Sequence, residues 1–108
     1  MHYKICTNTP KTHIEQVRIA IGKAGAGKIG NYIYCSFVMP GIWYFLPTEW
    51  ASPAIGTVWI SESVEEYRLE VVCEGIYMKQ VLLALREFHP YEEPPIEICK
   101  LEDISQFE

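Results

Sequence analysis

His89-Pro90-Tyr91-Glu92-Glu93-Pro94 stands where a helix hands over to a strand, and its reading fixes the second half of the fold. Upstream, Met78, Val81, Leu82, Leu85 and Phe88 recur at intervals of three and four, the spacing of one apolar helix face. Pro90 ends that helix at or near His89, because a residue before proline is pushed out of helical backbone angles. Beyond Pro95, Ile96 and Ile98 alternate with Glu97 and Cys99, the two-residue period of a strand. The run is therefore a fixed turn crowded with ionisable groups, and turns carry function more often than cores do.

Working outward, the spacing predicts a helix over 76–88 and a strand over 96–101. Before the helix, Tyr67, Leu69, Val71 and Cys73 alternate with Arg68, Glu70 and Val72, giving a strand with one apolar and one charged face. Residues 2–8 read as a first strand and residues 11–24 as a helix, with Ile14, Val17 and Ile21 facing inward. Pro10 suits its first turn, Thr12 and Glu15 suit a capping box, and Gly25 and Gly27 suit its stop. The tyrosine, isoleucine, phenylalanine and valine of residues 31–39 read as a long second strand. Residues 40–63, rich in Pro, Gly and Trp, read as an extended excursion carrying a short hairpin around 57–60. The order strand, helix, strand, strand, helix, strand is that of an α+β, ferredoxin-like split βαβ sandwich, with both helices on one face of an antiparallel sheet. Arg68, Glu70 and Glu97 then point from the uncovered face, which is either solvated or used for self-association.

The 108 residues, 49 % hydrophobic, suit one domain over 1–108 that buries a core without staples. No apolar run approaches the roughly 18 residues of a membrane span. Met1-His2-Tyr3-Lys4-Ile5-Cys6 lacks the features of a signal peptide, so a cytoplasmic location is the expectation. A net charge of −5, with no run among its nine Lys and Arg, argues against a nucleic-acid partner, and without a span no membrane partner is expected. Cys6, Cys35, Cys73 and Cys99 fall in different predicted strands without ligand spacing, and read as reduced, mostly buried thiols.

Two glycine patterns mislead. Gly22-Lys23-Ala24-Gly25-Ala26-Gly27-Lys28 matches a phosphate-binding loop up to Ile29, where a hydroxyl is required, and Gly25 to Gly30 matches a dinucleotide pattern. Both need a strand before the loop and a helix after it. Here the order is reversed, so the glycines read as a helix stop and tight turn.

His89, Glu92 and Glu93 offer an imidazole and two carboxylates, a set able to bind zinc, copper or another divalent ion. A closed shell needs ligands from elsewhere, and the element order does not place His2 or His13 beside His89. The competing reading has His89 capping the helix, Tyr91 packing into an interface, and Glu92 and Glu93 accepting backbone or Arg hydrogen bonds. Acid–base catalysis by a His and Glu pair is a third reading. Neither Cys35 nor Ser36 is marked as an activated nucleophile.

Taken together in order, Gly25-Ala26-Gly27-Lys28-Ile29-Gly30-Asn31-Tyr32, Cys35-Ser36-Phe37, Phe45-x-Pro47, Pro53-x-Ile55-Gly56, Glu62-x-Val64-x-Glu66-x-Arg68-x-Glu70 and His89 to Pro94 resemble the YqfO family. That family comprises the PII/CutA-like domain inserted into NIF-three-like proteins and its free-standing relatives. The last motif also resembles the His-Pro-Tyr-Glu segment of the divalent cation tolerance protein CutA. The resemblance implies a PII/CutA-like domain that forms homo-oligomers, a trimer being favoured and a dimer remaining open. It also implies that the dinuclear metal site of full-length NIF-three-like proteins belongs to flanking domains, so no hydrolase activity carries over. Trp43, Trp50 and Trp59 depart from the family pattern, standing where glycine is usual. Their rings either lie over the domain's own surface or form an aromatic interface or ligand pocket.

The resulting expectation is a non-catalytic, self-associating module binding a divalent metal or small metabolite at a subunit cleft. His89, Tyr91, Glu92, Glu93, Trp43, Trp50 and Trp59 are its candidate ligand contacts, with His89, Glu92 and Glu93 as candidate metal ligands. The alternatives are an assembly domain with no ligand of its own and a small metal-dependent hydrolase using His89 and Glu92.

Overall fold

A computed structural model describes residues 1–108. Its elements are β1 (His2–Pro10), α1 (Ile14–Lys23), β2 (Phe37–Phe45), β3 (Glu62–Glu74), α2 (Met78–Phe88) and β4 (Ile96–Leu101), with 3₁₀ turns at Gly75–Tyr77 and Ile104–Phe107. The strands form one sheet in the order β2-β3-β1-β4, every pair antiparallel. This is the expected split βαβ arrangement, and it puts β2 and β4 at the two edges.

The core lies between the sheet and the helices. Ile5 from β1 and Leu69, Val71 and Cys73 from β3 meet Ile14, Val17 and Ile21 from α1 and Val81 and Leu85 from α2. Alternation on the strands and three-and-four spacing on the helices turn these side chains to one layer, as their periods dictate. On the opposite sheet face, Arg68 bonds Glu70 at 3.2 Å and Glu97 at 2.9 Å, and Lys4 reaches Glu70 at 2.9 Å. Phe37 and Met39 share that face, being paired with Glu70 and Arg68.

Several local expectations are corrected. β2 begins at Phe37 rather than Asn31, because Ile29 and Tyr32 exchange backbone hydrogen bonds (3.0 and 2.9 Å) and Tyr34 adopts φ 59°. It also runs on to Phe45, through Pro40 and Gly41, which an edge strand tolerates since a missing N–H can face away from the neighbour. The hairpin expected around residues 57–60 is a tight turn closed by Ile60 N–H on the Thr57 carbonyl (3.0 Å), with Trp59 at φ 63°. Pro10 ends β1 opposite Glu66 instead of opening α1. No capping box forms: the Thr12 hydroxyl meets His13 Nδ1 at 2.8 Å, and Glu15 pairs with Arg18 at 2.8 Å. Cys35 precedes β2 and Cys99 is exposed, whereas Cys6 and Cys73 are buried.

The glycine-rich segment is a helix stop. Gly27 has φ 81°, donates to the Val72 carbonyl at 2.7 Å and accepts from Cys35 N–H at 2.9 Å. It ties the end of α1 to β3 and to the lead into β2. No helix of the chain is long and apolar enough to cross a membrane.

Candidate functional site

Pro90 stops α2 so that His89 leaves the helix in extended conformation (φ −74°, ψ 134°) while its N–H still bonds the Leu85 carbonyl at 2.9 Å. The imidazole turns inward and is 5 % exposed. Its Nε2 lies 2.7 Å from the carbonyl oxygen of Asn8, and its Nδ1 accepts the Tyr91 N–H at 3.1 Å. A carbonyl only accepts, so Nε2 carries the proton and the ring is neutral. Burial holds its pKa below the ordinary 6.5, and His13 adds slightly in the same direction, against the Asn8 carbonyl and Glu66.

Tyr91 crosses from the turn to β3, where its hydroxyl donates to Glu66 Oε2. Glu66 is 3 % exposed, and its other oxygen accepts from Asn8 Nδ2 at 2.7 Å. No Lys or Arg forms an ion pair with it. Burial, and then the hydrogen bond to Glu66, push the Tyr91 phenol far above its usual range. The Tyr91 ring sits 5.2 Å from that of His89 and 6.2 Å from that of Phe45, tilted against both. One residue on, Glu92 Oε1 accepts the Ser52 N–H at 3.0 Å and latches the excursion to the turn.

Between the latched segments lies a cleft of about 290 Å³. Trp43, Phe45, Leu46, Pro47, Thr48, Ala51, Pro53, Ala54 and Ile55 line it from one side, and Tyr91, Glu92 and Glu93 from the other. Of the seven candidate contacts, the fold thus brings together Trp43, Tyr91, Glu92 and Glu93. His89 stands behind Tyr91 as a buried support. Trp50 and Trp59, 89 % and 59 % exposed, lie outside the cleft. No three His, Cys, Asp or Glu side chains are grouped so as to hold a metal ion. Glu66, Asn8, Ser52 and Phe45 were not among the expected site residues. Glu66 sits amid alternating charges, where sequence gives no sign of burial, and Ser52 contributes only backbone.

No family model matches the chain. Among curated proteins, it is 42 % identical over 99 residues to the GTP cyclohydrolase 1 type 2 homolog of Halalkalibacterium halodurans, covering 92 % of this chain and 27 % of that protein. It is 47 % identical over 92 residues to the protein of the same name from Mycobacterium tuberculosis, covering 85 % and 24 %. The chain therefore spans about a quarter of the length of the curated relatives it matches. Among solved structures, a Bacillus cereus protein related to NIF3 superposes with a TM-score of 0.82 at 36 % identity, over 94 % of this chain and 26 % of that one. The periplasmic divalent cation tolerance protein CutA from Archaeoglobus fulgidus gives 0.65 at 20 % identity, over 95 % and 86 %. At that identity the likeness is one of fold.

Proposed function

From the premise that this chain belongs to the YqfO, or NIF-three-like, family, of whose curated members it spans about a quarter, we propose that it is a non-catalytic, self-associating module. In this reading it binds a small metabolite or a divalent ion in the cleft between excursion and turn. The cleft itself carries the proposal: an apolar wall and two carboxylates converge on one cavity, the usual form of a small-molecule site. Self-association is supported by β2, an edge strand on which Phe37, Ile42 and Tyr44 are more than half exposed. A trimer is the assembly we favour, from the resemblance to CutA; a dimer would use the same edge. All four cysteines are unbonded, in keeping with a cytoplasmic setting.

A divalent ion stays among the ligands because neighbours in fold are named divalent cation tolerance proteins. The donors of one chain do not fit it alone, since both His89 nitrogens are hydrogen-bonded and Glu92 holds Ser52. Any metal shell would combine Glu93 and Glu92 with groups from a second copy. The assembly reading without a ligand is favoured by Trp50, 89 % exposed and outside the cleft. A hydrolase, suggested by the relatives' names, ranks third because this segment gathers neither nucleophile nor metal group. Light scattering combined with calorimetry against zinc, copper and phenylbutylamine tests the proposal: an oligomer and a heat of binding from at least one of the three are expected. A monomer with flat titrations would sink it.

A further inference from the structure

We propose that the cleft takes a small organic cation, an ammonium or guanidinium on an aromatic or alkyl body, with the body inside and the charge at the mouth. This rests on the cleft reading above and names its ligand class. None of the 12 lining residues is Lys, Arg or His, and the charged pair, Glu92 and Glu93, is acidic. Glu92 is fixed by the Ser52 N–H. Glu93 is exposed and forms no ion pair in this chain, so its carboxylate is available. The Tyr91 hydroxyl is engaged by Glu66, so Tyr91 offers the cleft its ring.

With Trp43 and Phe45, that ring makes a wall suited to an apolar body or the face of a cation. A nucleotide phosphate would meet two carboxylates there and no cationic donor. The net charge of −5 further favours the approach of a cation. A volume of about 290 Å³ lies just below the range for ligand pockets, about 300–1,000 Å³, which points to a molecule of metabolite size.

The test uses the full chain carrying Trp50→Phe and Trp59→Phe, which leaves Trp43 as its sole tryptophan. Its emission is followed during titration with phenylbutylamine and, separately, with phenylbutyrate, two probes that share a body and differ in charge. The amine is expected to bind and the acid to leave the signal unchanged. Glu93→Gln, at an exposed position, should weaken the amine about three- to tenfold, and Glu92→Gln, which keeps an oxygen for Ser52, should do likewise. Equal binding of the two probes, or no loss in either glutamine variant, overturns the cationic assignment while the cleft reading stands. Silence from both probes, with zinc and copper equally silent in calorimetry, overturns the cleft reading as well.

Discussion

At Glu66 a carboxylate is buried between two neutral donors, Asn8 and Tyr91, with no cation paired to it. Removing one donor leaves a buried carboxyl oxygen short of a hydrogen bond, so Tyr91→Phe should cost about 1–3 kcal/mol in urea denaturation. A loss near zero would mean that water replaces the hydroxyl freely. His89 adds a pH dependence. Its folded pKa lies below the unfolded value, so the stability it contributes is complete above the unfolded pKa and is lost as pH falls through the folded one. Protonation would set a second donor on Nδ1 facing the Tyr91 N–H, in surroundings where the Asn8 carbonyl and Glu66 favour the charge and burial and His13 oppose it. As pH falls below about 6.5 the thermal midpoint of the native chain should fall more steeply than that of His89→Gln; parallel slopes would assign the effect to other groups. The sequence pointed to His89 and Tyr91 as chemically unusual, yet gave no sign of Glu66. In an alternating Glu-x-Arg-x-Glu run it resembles its solvated neighbours, and only Tyr91, 25 residues away, completes its burial.

Among the elements, the link from α1 to β2 shows how local rules decide and where they mislead. The glycines there were legible as a helix stop because a helix precedes them and none follows. Gly27 is the strictest: an added Cβ would lie 2.5 Å from the Cys35 carbonyl oxygen and 2.8 Å from its nitrogen, at φ 81°. Gly27→Ala should therefore lose roughly 1–3 kcal/mol from the backbone angle alone, and more as the Cys35 peptide shifts. Chemical denaturation of the variant measures this, and an unchanged midpoint would show that the link is not held as described. The start of β2 differs from its sequence pattern because Tyr32, Ile33 and Tyr34 have strand composition while their backbone makes a turn. Composition reports a preference for the pleated surface, and tertiary ties override it. Trp43 likewise follows Pro40 and Gly41, which suggest an excursion, yet it belongs to β2, whose pairing with β3 aims it into the cleft.

Across the whole molecule, strand order was legible because alternation, helix spacing and turn residues all agree. The cleft was less so, since its walls meet only when the sheet has closed. The apolar outer edge of β2 is the surface we assign to self-association, so Ile42→Lys, at a position 60 % exposed, should lower the oligomer mass in light scattering without unfolding the chain. An unaltered mass would move the contact elsewhere. The latch and the helix stop also impose an order in time. Ser52 waits 40 residues for Glu92, and the Asn8 carbonyl waits 81 for His89. While the chain is being synthesised, the excursion therefore leaves the ribosome without its opposite wall, and β1 without either neighbouring strand. The cleft closes only once the final turn is made, and a nascent chain ending before His89 carries three strands and both helices yet lacks one wall of the cleft.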